Sequence, residues 1–124
     1  MITLLSAPLI IGVALALVAP FAFHFLEQTN SSFTDYEEMQ KSGIFEAGWL
    51  PSFLPKSSRD IHESHNIDTN HVEASFVYEV GDTASIESNC ALLTEDDGVA
   101  TYTCGVFEIT LSTNGIGTIR TKYR

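Results

Sequence analysis

Positive charge is scarce in this chain. Six Lys and Arg stand against sixteen Asp and Glu, for a formal net charge of -10 at pH 7. Nucleic-acid binding draws its affinity from basic side chains that neutralise phosphates, so no nucleic-acid partner is expected. Cysteine is equally sparse: two residues, Cys90 and Cys104, exclude a disulfide-dense scaffold. They also lack the Cys-x-x-Cys spacing of redox catalysts and the further ligands a cysteine-rich zinc site needs. The Gly-x-Ser-x-Gly elbow of hydrolases and the glycine loops that cradle phosphates are missing. Glu95, Asp96 and Asp97 do not follow EF-hand spacing and read as a solvated turn. With these signatures lacking, the chain is expected to have no cofactor and leans away from enzymatic activity.

Charge of either sign is absent from Met1 to Leu26. A helix of about 25 such residues would span roughly 37 Å, enough to cross a bilayer with some tilt. The rest of the chain is too small to bury a helix apolar on every face. Residues 2–26 are therefore expected to be a transmembrane anchor in contact with the lipid bilayer, with a kink near Pro20. A cleaved signal peptide competes, but the segment has no basic n-region, is long for an h-region, and places Pro20 directly after the small residue Ala19.

The even pair of cysteines reads as one disulfide, Cys90 to Cys104, on the oxidising side of a membrane. The expected location is a bacterial inner membrane crossed once, with the C-terminal domain periplasmic or extracellular. The division follows as 1–26 for the anchor, 27–43 for a juxtamembrane segment with a short helix, and 44–124 for an extracytoplasmic α+β domain.

Within that domain Thr34 and Glu37 have capping-box spacing, and Lys41 and Gly43 suit a helix end, which predicts a helix over 35–42. Val72, Ala74, Phe76, Tyr78 and Val80 alternate with mostly polar neighbours, the period of a half-buried strand. The turn residues at 68–70 make Ile61–His65 its hairpin partner. Residues 83–93 read as a helix with Ile86, Cys90 and Leu93 at helical spacing. A hairpin turning at Asp96, Asp97 and Gly98 is the alternative. Val99–Ser112 is rich in strand formers, and Asn114-Gly115 signals a hairpin into Ile116–Tyr123. Arg120, Lys122 and Arg124 would share one face of that last strand. The expectation is an α+β fold: an N-terminal transmembrane helix, then a small antiparallel sheet of about four strands with one or two short helices and one disulfide.

The densest set of possible metal ligands is His62, Glu63, His65, Asp68 and His71. Two imidazoles and a carboxylate can hold zinc, but His-Glu-Ser-His is one residue short of the helical His-Glu-x-x-His pattern. On a strand His62 and His65 would face opposite ways, so the candidates His62, His65, Asp68 and His71 are the weaker reading and no metal is expected. Trp49 and Phe53, between Gly48 and the prolines Pro51 and Pro55, form either a plug for one end of the core or an interaction site.

The stretch from Trp49 to Asn70, beginning Trp-Leu-Pro-Ser-Phe-Leu-Pro, resembles small bacterial membrane-anchored or lipoprotein-like proteins of unknown function. The resemblance covers residues 48–71 and implies a cell-envelope setting. No lipid-attachment cysteine follows the apolar segment. These readings lead to a non-enzymatic accessory module of the bacterial envelope that binds another envelope protein. Two alternatives stand beside it: a metal-dependent envelope enzyme using the region of His62, His65 and His71, and a small subunit of a membrane complex.

Overall fold

The computed structural model describes residues 28–122. Its order along the chain is β1 (Gln28–Asp35), α1 (Tyr36–Lys41), β2 (Arg59–Asn66), β3 (Val72–Val77), α2 (Ala84–Asn89), β4 (Ala91–Asp96), β5 (Val99–Cys104), β6 (Phe107–Ser112) and β7 (Ile116–Thr121). All seven strands lie in one antiparallel sheet of order β1-β2-β3-β7-β6-β5-β4. The topology is two meanders, β1 to β3 and β4 to β7, sealed where β3 pairs with β7.

This architecture corrects the expected fold class. The sheet has seven strands in place of about four, and the only helices among the described residues, α1 and α2, have six residues each. The segment 2–26, read as a transmembrane anchor, lies outside the described residues. Among those described, no helix is long and apolar enough to cross a membrane.

Three stretches account for the extra strands. β1 carries the polar sequence QTNSSFTD, in which only alternate residues turn inward, and those only partly. An edge strand needs one weakly buried face, so the usual hydrophobic alternation is faint there. Residues 83–93 combine both alternatives: the poor strand formers of 84–89 make α2, and Cys90 then turns extended and leads into β4. The run from Val99 to Ser112 is cut at Gly105, whose φ of +61° sits in the left-handed region, so one apparent strand becomes β5 and β6. The Asn114-Gly115 hairpin joins β6 to β7 as expected, with Gly115 at φ +87°.

α1 starts one residue later than the Thr34 cap implies. Asp35 is the N-cap and accepts a hydrogen bond from the Glu38 amide at 2.9 Å, while Glu38 Oε2 accepts from the Thr34 amide at 3.2 Å. The logic of a capping box survives in shifted form, with Asp35 accepting from Glu38 and Glu38 reaching back to the amide of Thr34, one residue before the cap.

One face of the sheet is dry. Ile61 of β2, Val72 and Phe76 of β3, Ile119 of β7, Ile109 and Leu111 of β6 and Tyr102 of β5 are buried in a single core. The covering layer comes from Met39 of α1, Ile86 of α2, and Ile44, Leu50 and Leu54 of the irregular segment between α1 and β2. Each fully buried side chain of this kind contributes about 1.5–3 kcal/mol relative to exposure. The other face is polar, with Ser32, His62, Ser75, Thr118, Thr110 and Thr101 in register across it.

Cys90 and Cys104 form the expected disulfide, with Cα atoms 4.6 Å apart and a separation of 14 positions in sequence. It fastens the start of β4 to the end of β5, one step beyond the pair Ala91 and Thr103. Closing a loop of this length is worth about 3 kcal/mol in the chain-entropy account.

At the seam between the meanders Phe76 of β3 lies opposite Gly117 of β7. A Cβ on Gly117 would stand 2.2 Å from the Phe76 ring, so the ring occupies the space that any other residue would need. Glycine ordinarily weakens a strand relative to alanine. Here the order reverses: Gly117→Ala is expected to destabilise the chain by about 1–3 kcal/mol in urea unfolding, the cost of overpacking a core.

Candidate functional site

β2 determines where the histidines of the 62–71 region go. Its burial alternates, so Ile61, Glu63 and His65 point into the core and His62 and Ser64 point to the polar face. His62 Nδ1 lies 3.1 Å from the Ser32 hydroxyl on the neighbouring β1. His71, beyond the turn, is exposed and lies against the Thr121 hydroxyl at 3.0 Å and Glu73 at 3.2 Å. Asp68 belongs to a turn that Asn66 organises, its side-chain oxygen accepting from the amides of Asp68 and Thr69 at 2.9 and 3.0 Å. The structure thus scatters the metal candidates His62, His65, Asp68 and His71. Among the described residues no three His, Cys, Asp or Glu gather closely enough to hold a metal ion.

What the strand brings together is Glu63 and His65. The two are alternate residues on one face, and Glu63 Oε1 lies 2.5 Å from His65 Nδ1. Their side chains are 0% and 8% exposed. Above His65 the Trp49 indole lies parallel to the imidazole, with centroids 3.7 Å apart and planes 14° from parallel. The irregular segment after α1 delivers Trp49 to that place through a tight reversal in which the Trp49 amide donates to the Ile44 carbonyl at 3.2 Å. Leu50 and Leu54, buried to 1% exposure on either side of Pro51, hold the segment down.

Glu63 Oε2 is buried and has no hydrogen-bond partner among the described residues. Burial raises the Glu63 carboxyl above its ordinary range. The hydrogen bond and charge of His65, and then the hydroxyl of Ser31 directly across the β1–β2 pair, pull it partly back. An unpaired buried carboxylate oxygen is costly, which is the physical cause of that upward direction. The pair is sealed from solvent by Trp49, which makes it a polar clamp inside the core.

Trp49 and Phe53, paired as possible contact residues in the sequence, separate in the structure. Trp49 is half-buried on His65. Phe53 lines an open depression of about 610 Å³ with Phe45, Leu50, Pro51, Val106 and Phe107, next to the disulfide at Cys104. Tyr36 props the rim, its hydroxyl donating to the Ser52 carbonyl at 2.6 Å and its ring 5.6 Å from that of Phe45. Val106, 42% exposed at the turn between β5 and β6, is a member the sequence reading passed over. Its only sequence signal is an apolar residue directly after a turn glycine.

Residues 27–77 match a bacterial family described as the YbbD head domain. The match covers less than half of the chain: β1, α1, the irregular segment with Trp49 and Phe53, β2 and β3. It is consistent with a small envelope protein and carries no specific likeness to lipoproteins. No curated protein and no solved structure matches the chain.

Because burial raises the Glu63 carboxyl in the fold above its unfolded value, the folded chain holds that proton more tightly than the unfolded one. The stability this gives is complete below the ordinary carboxyl range and is lost as pH rises through the folded value. Glu63→Gln, which mimics the protonated form, is expected to stabilise the chain by about 1 kcal/mol at neutral pH. The gain should vanish at about pH 4. Urea unfolding of both chains at the two pH values measures it.

Proposed function

We propose that this chain is a non-enzymatic accessory module of the bacterial cell envelope that binds another envelope protein. The observation that carries the reading is the open, mostly apolar depression around Phe53, whose lining also includes Glu46, Ser52 and Asn89. Phe45, Pro51, Phe53 and Val106 line about 610 Å³ beside a disulfide that fixes its rim. Concave apolar sites with a rigid frame are where partner side chains gain most from desolvation. The covalent rim keeps the ordering cost of association low.

The disulfide supports an oxidising, extracytoplasmic location, since thiol pairs of this kind persist there and are reduced in the cytosol. The strong negative charge supports a partner with basic residues near its contact surface, because opposite potentials steer encounter. The match of residues 27–77 to a bacterial head domain supports the bacterial setting. A metal-dependent enzyme draws no support from the geometry, since β2 sends His62 and His65 to opposite faces.

The test places a photo-crosslinking amino acid at Phe53 or, as a control, at Thr110 on the polar face of β6, in the full chain expressed in bacterial cells. The expected outcome is one repeated adduct from position 53, lost on Val106→Glu, with none from position 110. Adducts of equal yield from both positions, or none from position 53, would remove the reading.

A further inference from the structure

β4 is an outer strand of the sheet and all six of its residues are exposed. An edge strand of a one-sided sheet normally buries one face, and β4 buries neither. Leu92 and Leu93 are 52% and 54% exposed. The pairing runs Leu92 to Tyr102 and then Thr94 to Thr101, which makes Leu93 the extra residue of a bulge. Bulges re-aim side chains. The result is two adjacent leucines on an open ladder of backbone donors and acceptors, in a strand that starts at the disulfide on the rim of the Phe53 depression.

Beside this strand a cleft of about 200 Å³ lies between the β4–β5 hairpin and α2, and Tyr78, Glu87, Glu95 and Tyr102 are among its lining residues. Tyr102 is more than nine-tenths buried where it lines this cleft. After burial itself, the charges of Glu87 and Glu95 push the Tyr102 phenol up. A carboxylate from α2 and a carboxylate from β4 thus act on the phenol of Tyr102. Glu87 accepts only from the neighbouring Thr83 hydroxyl at 3.2 Å, and neither carboxylate has an ion-pair partner among the described residues.

We propose that the β4 edge docks an extended segment of another protein in which apolar residues alternate with Lys or Arg. Resting on the protein-binding reading above, this names the partner's chemistry. The segment's backbone adds a strand to the sheet beyond β4. Its apolar side chains cover Leu92 and Leu93. One cationic side chain enters the cleft, where its charged head lies between Glu87 and Glu95 and an N–H donates to the Tyr102 hydroxyl. Its far end runs toward the depression at Phe53. A second copy of this chain is the wrong occupant on charge: each copy carries -10, and β4 itself bears Glu95 and Asp96.

The experiment titrates the isotope-labelled full chain with a synthetic peptide of about eight residues that alternates valine and lysine. A peptide alternating valine and glutamate is the control. The first peptide is expected to shift the amides of Leu92, Leu93 and Glu95 and slow their hydrogen exchange, with the β1 amides unmoved. Glu87→Gln combined with Glu95→Gln should weaken that binding about tenfold. N-methylation of alternate peptide amides should abolish it by removing the ladder. Equal binding of the acidic peptide, perturbation at β1, indifference to the double substitution, or β4 protection that grows with chain concentration alone would overturn the proposal. If position 53 still crosslinks its partner while the basic peptide leaves β4 unmoved, only the docking strand falls. If crosslinking fails as well, the binding reading falls with it.

Discussion

The fold depends on how the inner face of a seven-stranded sheet is covered when little chain remains to cover it. Two six-residue helices cannot do this alone. The segment between α1 and β2 supplies the rest, placing Ile44, Leu50 and Leu54 in the same core as Phe76, Ile109 and Ile119. Irregular backbone is tolerated there because its polar groups find partners locally. The Ser58 hydroxyl, for example, donates to the Pro55 carbonyl at 2.5 Å, and the Ser58 amide donates to the same oxygen at 3.0 Å. The two prolines that forbid regular structure also limit the conformations the unfolded segment can explore.

That same segment carries both features with functional interest. Its first half lays Trp49 over the Glu63 and His65 pair, and its second half walls the depression with Pro51 and Phe53. Core packing and surface shape are therefore set by one stretch of chain. A change at Leu50 or Leu54 should be felt at the surface as well as in the core. The far edge of the sheet answers to a different constraint, because β4 is fastened by the disulfide at one end and by the turn at Asp97 and Gly98 at the other. Neither of its faces contributes to the core.

The sequence made some of this legible and hid the rest for physical reasons. The β2–β3 and β6–β7 hairpins were readable from turn chemistry and alternation, and the disulfide from the cysteine count. β1 was hidden because a polar edge strand resembles a linker, and β4 because Leu93 continues the helical spacing of Ile86 and Cys90, which the extended Cys90 in fact breaks. The opposite orientations of His62 and His65 follow from strand alternation and were foreseen. The burial of Glu63 follows from the same alternation, since the rule that sends His62 outward sends Glu63 into the core. Trp49 on His65 and the wall shared by Phe53 and Val106 join residues far apart in sequence, and no local pattern announces such contacts.

The central claim is that the irregular segment after α1 acts as the second layer of the domain. The most direct test is Leu54→Ala, at a position 1% exposed between two loop prolines, followed by urea unfolding of the oxidised full chain. A core leucine truncated to alanine costs about 2–5 kcal/mol, and the account predicts a loss in that range with Trp49 fluorescence shifting toward that of a solvated indole. A loss of less than about 0.5 kcal/mol, typical of a surface position, with Trp49 unchanged would contradict it.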